Sequence, residues 1–261
     1  MIGVIQFTIN KLKEPSFLVL IMIFMLIGFN FSSPSTLSEN MSSDIVGEVI
    51  KSGKGEPLLA GTIFAMIVSM MLTIFTGGSE IPREISSRAI MVIVSKPIRK
   101  ETYLVGKFAG VFIMGICFFL SFEIPMIIST FINSETALST GLILRQLSII
   151  VILIPIAALT VAISCFTSEI SSMILTICYL LFGLSVAMTP ILLAALPEGM
   201  GGITFFVNAL YYMFPNFIYF LKDMNVFSFN FLALTIYSIS IAVIFLNIAA
   251  IRMNLRDLDI D

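Results

Sequence analysis

The chain has 261 residues, of which 58% are hydrophobic and 11% are charged, and its formal net charge is −2. Soluble domains carry about 25% charged residues, so this composition, with a mean hydropathy of +1.08, excludes a water-soluble protein and indicates an integral membrane protein. The absence of histidine excludes histidine-based catalysis and the commonest metal ligand.

Two further composition features bear on cofactors. The sequence has no GxxxxGK[ST] phosphate loop, so any nucleotide chemistry must come from another chain. The three cysteines lie far apart within apolar runs, which predicts buried side chains and no metal site: Cys117, Cys165 and Cys178. The chain is therefore not predicted to be an enzyme by itself.

The N-terminus predicts an interfacial helix followed by a membrane span. Residues 1–13 place apolar side chains at helical spacing among polar ones, which predicts an amphipathic helix on the membrane surface. A signal peptide is the alternative, but no small-residue cleavage site follows promptly. The apolar run 16–31 is therefore predicted to be a retained first span.

Five further apolar stretches predict membrane helices. They cover residues 57–75, 103–132, 142–165, 173–196 and 229–251. The span 57–75 is expected to end at Gly77-Gly78, and the span 103–132 to be interrupted at Glu123 and Pro125. Pro155 is expected to kink the span 142–165, and Pro190 the span 173–196.

Residues 197–228 leave two interpretations open. The apolar run 203–221 is long enough to span a membrane, but it contains Asn208, Pro215 and several tyrosines. Because tyrosine favours the membrane interface, we predict an interfacial or re-entrant segment at the outer surface. That leaves six spans in one domain covering residues 1–261.

Charge asymmetry predicts the orientation. With six spans, both termini, the 79–107 loop and the 166–172 turn share one side, which then holds ten of the fourteen basic residues. The positive-inside rule places that side in the cytoplasm. The sequence thus predicts an all-α, multi-pass protein of the plasma or inner membrane, with both termini cytoplasmic.

The polar stretch 79–107 is the most informative part of the chain. Ser79 suits a helix N-cap and Pro82 suits a first turn, which predicts a short separate helix over residues 80–88. Such a helix, with charges of both signs and an apolar stripe, could dock on a soluble partner. Ordinary anchoring of helix ends is the alternative for the basic residues nearby.

The same stretch resembles the ABC-2 type transporter permeases, the membrane subunits of ATP-binding-cassette exporters. The family phrases read here Glu84-Ile85-Ser86-Ser87-Arg88-Ala89, Ser95-Lys96-Pro97-Ile98-Arg99-Lys100 and Tyr103-Leu104-Val105-Gly106-Lys107. Ala89 departs from the usual threonine, and Lys100 fills the final basic position of the second phrase. The likeness extends to the 212–216 and 252–258 phrases and is nearest to the permeases grouped with copper maturation of nitrous oxide reductase.

The resemblance implies a type V exporter permease fold, in which this chain forms the transport pathway and a separate ATPase hydrolyses ATP. Residues 80–88 would be the coupling helix that docks on a separate ATPase, present in two copies, which binds the ATP and magnesium. The implied docking residues are Glu80, Arg83, Glu84, Arg88 and, in the 166–172 turn, Glu169. A second permease copy, as a homodimer or a related heterodimer, would complete the pathway within membrane lipid. No nucleic acid is implied.

Glu123 is the one ionisable residue well inside an apolar run, and it is a candidate for the transport pathway. It lies about 30 Å along a helix from Tyr103, so we expect it near the outer interface, within reach of water. A self-contained secondary transporter or intramembrane enzyme is the alternative function. That alternative would require further buried acids, bases or metal ligands, which the apolar runs do not offer. The substrate is not predicted, and a mechanical role in place of export stays open.

Overall fold

The computed structural model describes residues 15–31, 56–87, 100–133, 149–185, 205 and 229–255. The predicted amphipathic helix 1–13, residues 88–99 of the charged loop and nearly all of the outer segment 197–228 lie outside them. The described residues form six α-helices and one 3₁₀ helix, with no strand among them. The helices are α1 (Pro15–Phe31), α2 (Glu56–Ser86), α3 (Lys100–Asn133), α4 (Leu153–Ser164, preceded by the 3₁₀ helix Ile149–Ile152), α5 (Glu169–Ser185) and α6 (Phe229–Leu255).

Three of these helices are long and apolar enough to cross a membrane. The qualifying segments are Gly61–Ser86, Lys100–Ser129 and Phe231–Met253. At 1.5 Å per residue, even the shortest of them, with 23 residues, is about 35 Å long. The prediction of an all-helical fold with helices able to cross a membrane is confirmed for the described residues, whereas six spans and the orientation of the termini stay predictions.

The short helix α4 is the centre of the bundle. Ten of its twelve residues are buried, and α2, α3, α5 and α6 all pack against it. Such a helix is apolar all round, as expected for one surrounded by other helices. Helix α1 packs on the outside of α3, where the Phe17 and Phe118 rings stack with centroids 6.0 Å apart.

Helix α2 is continuous through Gly77 and Gly78, so the predicted break there is wrong. The helix extends from Glu56 to Ser86, with Pro82 inside it rather than in the first turn of a new helix. The glycines permit close packing instead of ending the helix. A Cβ at Gly77 would lie 2.9 Å from Val111 Cγ1, and a Cβ at Gly78 would lie 3.0 Å from Met173 Cγ.

Other boundaries also differ from the sequence prediction. Helix α3 is unbroken from Lys100 to Asn133, through Glu123 and Pro125, because packing on its neighbours outweighs the local cost of one proline. Helix α5 begins at Glu169 rather than 173. Pro155 is the third residue of α4, directly after the 3₁₀ helix, and proline is tolerated in the first turn of an α-helix.

Candidate functional site

A buried ionic cluster joins α2 to α3. Glu80 and Glu84 lie one turn apart on α2, and Tyr103 and Lys107 lie one turn apart on α3, so each pair shares one helix face. The Lys107 ammonium donates to Glu80 Oε2 and to Glu84 Oε1, each at 2.5 Å. The Tyr103 hydroxyl donates to the other oxygen of Glu84, Oε2.

The cluster lies in the protein interior. The Lys107 and Glu80 side chains are each 1% exposed, and Glu84 is also buried. Its Tyr103 belongs to a buried apolar cluster that also contains Ile81, Leu104 and Val161. Charge-assisted hydrogen bonds are strong in such surroundings, but removing one partner leaves a buried charge uncompensated, which costs about 3–5 kcal/mol.

The residues of two separate sequence phrases meet in this cluster. Glu84 belongs to the first phrase of the resemblance, and Tyr103 and Lys107 belong to the third, with the buried Gly106 between them. The motif phrases contain these residues but do not by themselves indicate their contact. The available signal was the spacing of four on both sides, which places two acids on one helix face and Tyr and Lys on another.

Directly outside the cluster lies an exposed surface of mixed polarity, here called the Arg83 surface. Arg83 of α2 pairs with Glu169 of α5 at 3.7 Å, with both side chains substantially exposed. Beside Glu169, Ile170 is 70% exposed and Phe166 is 47% exposed. The Arg252 guanidinium of α6 lies 5.8 Å from the centroid of the Phe166 ring.

The first residue of α3 ties the end of α6 to the same region. The Lys100 ammonium donates to the backbone carbonyl of Met253 at 2.9 Å. A cation at a helix C-terminus satisfies a carbonyl without a helical partner and interacts favourably with the helix dipole. Lys100 therefore holds α3 and α6 together at the end of the bundle that carries the Arg83 surface.

The structure divides the predicted docking residues into two groups. Arg83 and Glu169 are exposed and adjacent, as a contact surface requires. Glu80 and Glu84 instead point inward to Lys107, so the expectation that they face a partner needs correction. Hydrogen bonding to a cation on α3 governs their direction. Arg88 lies outside the described residues, as does all of the second phrase except Lys100, including the candidate residues Lys96, Pro97 and Arg99.

Glu123 occupies the other end of the α2–α3 contact. The Thr62 hydroxyl of α2 donates to Glu123 Oε1 at 3.0 Å. The predicted access to water is wrong in this structure, because Glu123 is 1% exposed. Among the described residues, no group of three or more His, Cys, Asp or Glu side chains could hold a metal ion.

Comparison with known proteins does not assign the chain to a family. No protein-family model matches the chain, and no curated protein matches it.

Proposed function

We propose that this chain is the membrane-spanning permease subunit of an ATP-binding-cassette transporter, and that a separate ATPase drives it. The ATPase would dock on the Arg83 surface from the cytoplasm and supply the bound ATP and magnesium. Two permease copies would enclose the pathway in the cell membrane, and export is the favoured direction. The resemblance of the 84–107 phrases supports this function.

The main structural evidence for this function is the composition of the Arg83 surface. Isoleucine and phenylalanine side chains are exposed there beside a salt bridge: Ile170, Phe166, Arg83 and Glu169. Apolar anchors with charged residues around them are typical of a protein–protein contact. A soluble partner whose surface combines an apolar groove with charges of both signs would fit it.

The ionic cluster connects the proposed docking surface mechanically to α3. A partner that displaces Arg83 also displaces the same turn of α2 that carries Glu80 and Glu84. Lys107 transmits that displacement to α3 through short charge-assisted hydrogen bonds. Movement of the docked ATPase would thereby reach two helices that span the membrane.

The test is co-purification from the native host in mild detergent. The chain should bring down an ATPase that mass spectrometry identifies and whose ATP hydrolysis is measurable in the eluate. Glu169→Lys should reduce the recovered ATPase at least about tenfold, because a reversed charge in a contact costs roughly 1.4 kcal/mol or more. The salt bridge itself contributes little on an exposed surface.

Glu101→Lys provides the matched control. Glu101 is exposed at the first turn of α3, on the same end of the bundle but outside the Arg83 surface. It should leave recovery of the ATPase unchanged. Recovery of no ATPase with the original chain would contradict the proposed function, and equal losses in both variants would contradict the docking position.

A further inference from the structure

Glu123 has one oxygen bonded and the other without a partner. Thr62 donates to Oε1 at 3.0 Å, while Oε2 is buried and makes no hydrogen bond to any of the described residues. The pair lies within the Gly61–Ser86 and Lys100–Ser129 membrane segments, opposite the ionic cluster. A buried carboxyl oxygen without a donor requires a physical explanation.

The surrounding helices supply no counter-charge among the described residues. Helices α1 and α4 contain no charged residue, and neither does α6 before Arg252. The cations of α2 and α3 all lie at the end of the bundle with the ionic cluster: Arg83, Lys100 and Lys107. Away from that end, the other titratable residues of the described helices are acids, thiols and phenols: Glu56, Cys117, Cys178, Tyr179 and Tyr237. Within the described part of the chain, an ionised Glu123 would therefore be a buried charge with neither a cation nor a second hydrogen bond.

We propose that Glu123 is a proton-binding site. Oε2 carries a proton while α2 and α3 are packed together at this end, and the group is then a neutral carboxylic acid. When the helices separate and water reaches the pair, the O–H bond breaks, the proton passes to water, and a carboxylate remains. Thr62 contributes by occupying Oε1, which leaves Oε2 to hold the proton.

Proton release couples the packing of this end to pH. A carboxyl group in water is ionised at neutral pH, so opening releases one proton and a rise in pH favours the open arrangement. Glu123→Gln removes this coupling because an amide stays neutral in both arrangements. The glutamine carbonyl can still accept the hydrogen bond from Thr62.

Infrared spectroscopy of the full chain in lipid nanodiscs tests the neutral acid directly. The original chain should show the carbonyl stretch of a protonated carboxylic acid, and Glu123→Gln should lack that band. Both proteins should melt within about 3 °C of each other. An unchanged spectrum would overturn the proposal, as would a glutamine variant that melts far below the original chain.

Hydrogen–deuterium exchange tests release of the proton. Peptides covering residues 61–66 and 119–126 should exchange equally in the original chain and in Glu123→Gln in mildly acidic buffer. In mildly alkaline buffer the original chain should exchange several-fold faster than the variant. Comparing the two proteins in the same buffer removes the intrinsic effect of pH on exchange. If the ratio of their exchange rates were the same in both buffers, the release step would be overturned. Neither measurement needs an ATPase, so each outcome is independent of the docking experiment.

Discussion

At the scale of single residues, Lys107 has the largest predicted effect on stability. It is the ammonium that donates to both Glu80 and Glu84 in the interior. Lys107→Met would leave two buried carboxylates facing each other, and loss of a buried partner costs about 3–5 kcal/mol. In a background with alanine at Cys117 and Cys178, we expect the melting temperature in detergent to fall by roughly 10 °C, measured with a thiol-reactive dye that reports exposure of the buried Cys165.

The triple variant Glu80→Gln, Glu84→Gln, Lys107→Met separates charge from packing. Neutral side chains of similar size leave no buried charge without a partner, so most of the lost stability should return. Glu101→Gln, on an exposed side chain, should change the melting temperature by less than about 2 °C. A stable Lys107→Met protein would show that the cluster is not formed in the membrane protein.

At the scale of elements, contacts between helices override the low helix propensity of the two glycines in α2. Two adjacent glycines predict the end of a helix, yet α2 continues because Gly77 lies against Val111 of α3 and Thr160 of α4. Gly77→Leu would place its Cβ 2.9 Å from Val111 Cγ1, and overpacking costs about 1–3 kcal/mol. We expect a melting temperature lower by about 3–10 °C in the same dye assay.

Ser240→Leu is the matched small-to-large control for that element. Ser240 is exposed on α6, and its hydroxyl donates within its own helix to the carbonyl of Ile236 at 2.8 Å. An added leucine there faces the surroundings of the bundle and should leave the melting temperature unchanged. If Gly77→Leu were equally harmless, the close approach of α2 to α3 and α4 would be wrong.

At the scale of the whole molecule, four helix ends converge beside the ionic cluster. Glu84 meets Tyr103, Arg83 meets Glu169, and Lys100 meets the carbonyl of Met253. The C-termini of α2 and α6 and the N-termini of α3 and α5 therefore share one end of the bundle. This arrangement agrees with the layout in which the charged loop and the C-terminus lie on one side.

Cysteine labelling tests which side that is. In a background with alanine at the three native cysteines, Ser86→Cys, on an exposed residue beside the Arg83 surface, should resist a membrane-impermeant thiol reagent in intact cells. The same cysteine should react fully in inverted membrane vesicles, because the proposed orientation places it in the cytoplasm. Labelling in intact cells would reverse the orientation and remove the docking surface from the ATPase.

The fold class and most helix positions could be predicted from the sequence, because apolar length and periodicity report burial directly. Helix ends were harder to predict. Gly77-Gly78 and Pro82 are local signals for a break, whereas contacts from α3, α4 and α5 determine that α2 continues. A short-range pattern contains no information about the atoms that another helix places beside it.

Composition and charge distribution alone indicated a helical membrane protein with a strongly charged internal stretch at residues 79–107. Only the tertiary structure decided which of those charges face outward. Glu80 and Glu84 look like surface residues in the sequence, but a lysine on a neighbouring helix turns them inward. Glu123 was expected to reach water, and helix packing enclosed it. The physical reason is the same in each case: the environment of a charge depends on residues that are distant in sequence.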